Sequence, residues 1–155
     1  MTFRNNIEWL AGNYNEARMG SSIFSYLMGY EDPRLNVYFL PMDGNASYGV
    51  EAFNGKTYQA VPAGHANAQN DIYKSCSKPN IQSGTPTYWL RASEVYFLRA
   101  EAALVWEGFG SADSWYKQGI DMSFQENGVT EPVDDYMNSN LSPRAYVLSL
   151  SLIHI

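Results

Sequence analysis

The chain has one cysteine, Cys76, two histidines, His65 and His154, and only 10 lysines and arginines against 16 aspartates and glutamates in 155 residues. Each shortage removes a class of chemistry. A single cysteine cannot close an intrachain disulfide. His65 sits in a Pro-Ala-Gly-His stretch with no companion at metal-ligand spacing, so neither a metal site nor a Ser-His-Asp triad is supported. A net charge of −6, with no cluster of Lys or Arg, argues against nucleic acid, whose phosphates demand a basic patch. No run approaches the ~20 apolar residues that span a bilayer. The opening residues, MTFRNNIEW, hold no apolar core of a signal peptide. Gly108 and Gly110 precede a helix but lack the Lys of a phosphate-binding loop, and no cofactor is expected.

Apolar and aromatic residues are plentiful. A hydrophobic share of 45% is ordinary for a globular chain and argues against disorder. The aromatic share of 15%, with 12 Tyr and 4 Trp, suits a carbohydrate-facing protein and equally an aromatic-rich core.

The sharpest pattern lies between Trp89 and Trp106. Strong helix formers dominate from Leu90 to Leu104, and apolar residues leave almost no polar face, which predicts one helix over Trp89–Glu107, buried nearly all round. Gly108 and Gly110 can end it with positive φ. Ser111 or Asp113 can cap a second helix over Asp113–Glu126, and the short connection makes the two antiparallel neighbours. Small residues at Ala100 and Ala103 suit the line of closest approach.

Residue order in this hairpin is more specific than its periodicity. "LRASEVYFLRAEAAL" followed by a glycine turn and "WYKQGIDMSFQENGV" resembles the C-terminal helical hairpin of the SusD/RagB family. The matching positions are Glu94, Tyr96, Arg99, Ala100, Glu101 and Ala102 in the first helix, and Tyr116, Gly119, Ile120 and Ser123 in the second. Upstream, Asp32-Pro33-Arg34 within "SYLMGYEDPRLNVYFLP" resembles the family's Asp-Pro-Arg segment.

The resemblance implies a mainly α fold, a tetratricopeptide-like helical hairpin beside a long irregular aromatic-rich segment, as part of a larger domain. It implies binding rather than catalysis: surface-exposed outer-membrane lipoproteins that cap a TonB-dependent transporter and hand it oligosaccharides, or peptides in some branches. Residues 1–149 would then be a C-terminal fragment of a SusD-like domain, with the signal peptide and lipid-modified cysteine upstream. Cys76 does not fit that role, because "NDIYKS" before it is polar. The tail, residues 150–155, resembles the translation of a transposon-end adapter used in sequencing libraries and is set aside as non-native; a native apolar strand is the alternative.

Toward the front, Trp9, Leu10 and Tyr14 suggest a short helix or loop. Ser21 or Ser22 can cap a helix in which Ile23 and Leu27, and Phe24 and Met28, stack at spacing four, ending at Gly29. Asp32 before Pro33 reads as a cap and a preset first helical position, starting a turn before an extended Val37-Tyr38-Phe39 run.

Glycines and prolines interrupt every candidate element from Met42 to Thr87, and so long an irregular segment is usually functional or flexible. A sugar offers apolar C–H faces ringed by hydroxyls, so its site needs flat aromatic platforms flanked by amides and carboxylates. Tyr48, Phe53 and Tyr58, with Asn45 as an amide partner, are the candidate ligand contacts. The competing reading is that these rings pin the segment onto the helices.

Glu94 and Glu101, seven residues apart, share one helix face and sit roughly 10 Å apart at about 1.5 Å rise per residue. Inverting glycosidases use carboxylates ~6.5–9.5 Å apart. The surroundings favour structural ion pairs instead: Arg91 reaches Glu94 at spacing three, Arg34 is a candidate partner for Glu101, and Arg99 would need a partner on a neighbouring element. A glycan-binding protein therefore leads. A tetratricopeptide-like adaptor binding peptides or proteins is the alternative, weakened because only one hairpin is visible where an array repeats every ~34 residues. A glycosidase comes third.

Overall fold

Phe24 and Leu27, three residues apart, turn inward from the first described helix, α1 (Ser21–Gly29), whereas Ile23, which the spacing-four pattern paired with Leu27, is exposed. The computed structural model describes residues 8, 16–44, 51–64 and 73–143; Trp9, Leu10, Tyr14, Asn45, Tyr48, His65 and residues 150–155 lie outside them. Two units can be distinguished, Met1–Thr87 and Tyr88–Ile155, each with its own core.

In the first unit, Gly20 rather than a serine precedes α1, and no side chain caps it. The Ser21 hydroxyl instead accepts a hydrogen bond from the Ala63 amide at 3.0 Å, tying the helix start to a distant strand of chain. After α1 the chain passes through Glu31 in the left-handed region (φ 49°) into a one-turn helix, α2 (Leu35–Tyr38). The expected extended run is thus corrected: Val37 and Tyr38 are helical and only Phe39 is extended. The cause is Asp32, whose Oδ1 accepts the Arg34 amide at 3.0 Å and starts a turn that buries Leu35 completely.

The segment after Met42 is less irregular than its glycines suggest. Strands β1 (Glu51–Phe53) and β2 (Lys56–Tyr58) form an antiparallel hairpin, with Glu51 opposite Tyr58 and Phe53 opposite Lys56. Asn54 and Gly55 join them with φ 47° and 73°, the two positive angles that a two-residue hairpin requires. Around it, extended chain is stitched by single backbone bonds: Met19 donates to Ser77, Val61 to Met19 and Ser77 to Gln59, at 2.8–2.9 Å. Met19, Phe24, Leu27, Leu35, Phe53 and Tyr58 fill the space between.

The second unit is the hairpin of helices α3 (Ala92–Val105) and α4 (Ala112–Glu126), followed by the short α5 (Val133–Asn138). Helix α3 is shorter at both ends than Trp89–Glu107, because Arg91 and Trp106 are extended. Gly108 and Gly110 carry the turn with φ 86° and 83°, and Ser111 caps α4 by accepting the Ser114 amide at 3.3 Å. The helices are antiparallel, since Ser93 at the start of α3 bonds Glu126 at the end of α4. Ile120, Phe124, Tyr136 and Met137 form the core between α4 and α5, and the exposed Lys117–Asp134 pair links those two helices.

One contact sets the spacing of the hairpin. A Cβ on Gly119 would lie 2.6 Å from Cε1 of Phe97, so the ring rests on bare backbone. Alanine gains about 1 kcal/mol of helix propensity over glycine, but displacing a packed ring costs about 1–3 kcal/mol. Gly119→Ala is therefore expected to lower the melting temperature; a rise would contradict the packing. Helix α3 is also not buried all round: Ser93 and Ala100 are buried, whereas Val95, Leu98, Leu104 and Val105 are exposed.

Candidate functional site

Two of the rings proposed as sugar platforms, Phe53 and Tyr58, sit on the β-hairpin, and its register sets the way they face. Phe53 and Tyr58 share the inward face, Tyr58 being 0% exposed, and its hydroxyl donates to Asn36 Oδ1 at 2.6 Å. Burial pushes the Tyr58 phenol above its ordinary value. Neither ring shows a face to solvent, so of the two readings of these residues the structure takes the packing one. Asn45 and Tyr48 fall outside the described residues.

The proposed ion pairs are rearranged. Arg34 pairs with Asp32 two residues away, its Nε 2.8 Å from Oδ1 and a second nitrogen on Oδ2. Arg91 turns from Glu94 to Glu126, 3.7 Å away, donates to Asn127 Oδ1 at 3.1 Å and lies 4.0 Å over the Tyr88 ring. Arg99 takes an aromatic rather than an acidic partner, 4.1 Å over Trp115. Glu94 and Glu101 are exposed. Among the described residues no group of three His, Cys, Asp or Glu could hold a metal ion.

Glu126 is the carboxylate that sequence reasoning missed. Its two oxygens accept the Ser93 amide at 3.2 Å and the Ser93 hydroxyl at 2.7 Å, capping the exposed amides of α3 from the end of α4. Partial burial raises its pKa, but the Ser93 and Ala92 hydrogen bonds and the Arg91 charge outweigh that, so it titrates below its ordinary value. A depressed folded pKa means the stabilisation is present above the unfolded value of about 4.3 and lost as pH falls through the folded one. Glu126→Gln is expected to remove this pH dependence and cost about 0.5–2 kcal/mol, the range of a lost cap. Acid titration of both proteins checks it; identical acid limbs would contradict the assignment.

The turn between α3 and α4 carries an open aromatic corner that was also missed, although Trp106, Phe109 and Trp115 crowd around its glycines in the sequence. Trp106 and Phe109, 62% and 50% exposed, lie 6.1 Å apart. Trp115 donates from Nε1 to the Phe109 carbonyl at 2.6 Å, and Tyr96 and Arg99 pack against its ring. Such a corner can offer ring faces and a guanidinium to a partner with apolar faces and polar edges.

This geometry meets a family pattern. Residues 1–153 match the model of the SusD-like family, described as the Susd and RagB outer membrane lipoprotein. The chain belongs to the SusD-like family. Among solved structures, a SusD homologue from Bacteroides thetaiotaomicron is 32% identical with a TM-score of 0.76, over 90% of this chain and 28% of that one. A homologue from Bacteroides vulgatus is 33% identical, with a TM-score of 0.74 over 89% and 27%. A chitin-binding SusD homologue from Flavobacterium johnsoniae is 29% identical, with a TM-score of 0.71 over 88% and 27%. No curated protein matches the chain. This SusD-like chain thus spans about a quarter of the length of those solved relatives. Gly119, Ile120 and Ser123, which carried the resemblance, are buried on α4. Among the matched positions of α3, Ala100 is buried, whereas Glu94, Arg99 and Glu101 are exposed.

Proposed function

We propose that residues 1–149 are the C-terminal part of a longer SusD-like lipoprotein, with 150–155 a non-native tail, and that the whole protein binds an oligosaccharide at the outer-membrane surface without cleaving it. It passes the ligand to a TonB-dependent transporter, and its lipid anchor lies upstream. The observation that carries this reading is the match to the SusD-like family over residues 1–153. The chitin-binding homologue, similar over 88% of this chain, points to a glycan as the ligand class.

Asn45 and Tyr48, just ahead of β1 in sequence, are the proposed contacts, and Phe53 and Tyr58 anchor the hairpin that follows them. Electrophoresis of the longer protein through gels cast with different glycans tests this. Retardation by one glycan, weakened by Tyr48→Ala at unchanged melting temperature, is expected. Stacking on nucleic-acid bases suggests a loss of about 1–3 kcal/mol. No retardation by any glycan, with tight binding of peptides instead, would favour an adaptor.

A further inference from the structure

The chain contains two Asn-Gly pairs, Asn54-Gly55 and Asn127-Gly128. In such a pair the glycine nitrogen can attack the side-chain carbonyl of the asparagine before it, because glycine has no Cβ to hinder the approach. The attack asks two things of the fold. The asparagine amide must be free to turn toward the following peptide, and the glycine N–H must not be committed to a hydrogen bond. One pair meets both conditions and the other meets neither.

Asn54 and Gly55 are the tip of the hairpin between β1 and β2, and both are exposed. Among the described residues nothing hydrogen-bonds the Asn54 side chain or the Gly55 amide. The strands beside them are three residues long each, and a Cβ built on Gly55 would meet no atom beyond its chain neighbours within 4 Å. The tip can therefore turn about its own dihedrals without displacing a packed neighbour. Asn127 instead closes α4. Its Nδ2 donates to the Ser123 carbonyl at 2.6 Å and its Oδ1 accepts from Arg91 at 3.1 Å. The Gly128 N–H donates to the Gln125 carbonyl at 3.2 Å. Attack at this pair requires all three bonds to open together with the end of the helix.

We infer that Asn54 is a modification site, deamidating in the folded protein through a succinimide formed with Gly55, while Asn127 in the same dipeptide is held unreactive. The Gly55 nitrogen gives its proton to hydroxide and bonds to Cγ of Asn54. The Cγ–Nδ2 bond breaks, and Nδ2 leaves as ammonia with a proton taken from water. Water then opens the ring, at Cγ to give aspartate or at the main-chain carbonyl to give isoaspartate. One water is consumed and one ammonia released overall, with nothing oxidised or reduced. The two products differ in their effect on the fold. Aspartate suits this turn as asparagine does, since Asp-Gly is also a two-residue hairpin pair. Isoaspartate routes the main chain through its own Cβ and Cγ, lengthening the turn that fixes the register and with it the inward face of Phe53 and Tyr58.

Ageing the protein in mildly alkaline buffer tests this, with one sample folded and a second held in denaturant. Both sites are followed by peptide mapping, which reads the exchange of the amide NH2 for OH as a gain in mass. In denaturant the two asparagines should react at similar rates. In the folded protein Asn54 should react at least tenfold faster than Asn127. A ratio no greater than that in denaturant, whether both sites are fast or both slow, would overturn the inference. The effect on the fold is read separately. Asn54→Asp should melt with the unaged protein, whereas aged protein carrying isoaspartate at this position, identified by labelling with an isoaspartyl methyltransferase, should melt below both. Equal melting of the isoaspartate form and Asn54→Asp would overturn the claim that the modification undoes the hairpin.

Discussion

Tyr58→Ala is expected to cost roughly 3–5 kcal/mol, the range for deleting a large buried ring, and to abolish cooperative folding of the first unit if its margin is small. Tyr58 is fully buried among Met19, Phe24, Leu35 and Phe53, and its hydroxyl is held by Asn36. Tyr58→Phe keeps the ring but leaves Asn36 Oδ1 without this donor, and should cost about 1 kcal/mol. Denaturant titration of both variants separates the two contributions. An unchanged transition midpoint in Tyr58→Ala, with glycan affinity alone reduced, would return the ring to the ligand.

Asp32→Ala should be the most damaging single charge change, at about 3 kcal/mol, because it removes one partner of a buried charge pair. The Asp32 and Arg34 side chains are only 5% and 15% exposed. The same substitution also removes the acceptor for the Arg34 amide that starts α2. Glu101→Ala, at an exposed position, should change stability by no more than about 0.5 kcal/mol. Thermal melts of the two variants check both expectations. A large loss in Glu101→Ala with little in Asp32→Ala would restore the pairing expected from sequence.

The α3–α4 hairpin was legible because its determinants are local: helix formers in a row, two glycines needing positive φ, and a serine at the cap. Gly119 was legible only as a family position, since nothing in the sequence says that Phe97 lies on it. The β1–β2 hairpin was overlooked although Asn54-Gly55 is the strongest short-range signal for a two-residue turn. Counting glycines as interruptions hid Gly55, which turns this hairpin. That turn sets the register, and the register sends Phe53 and Tyr58 inward, where they pack in the core of the first unit.

The ion pairs show a different limit. Spacing along a helix identified Arg91 and Glu94 as able to meet, but Glu126 offers a cap and Asn127 a further acceptor on the neighbouring helix. Partners brought by tertiary packing carry no local signature. The same holds for Arg99, which spacing sent looking for a carboxylate and packing gave an indole. The apolar residues of α3 were read as burying the helix nearly all round, yet only Ser93 and Ala100 are buried and Val95, Leu98, Leu104 and Val105 are exposed.

The most direct test of glycan binding without catalysis is a calorimetric titration of the longer protein with a panel of oligosaccharides that includes chito-oligosaccharides, followed by chromatography of the recovered ligand. Saturable heat with one glycan class, and that glycan recovered intact after prolonged incubation, is the predicted result. Absence of heat with every glycan, or recovery of shortened products, would contradict it.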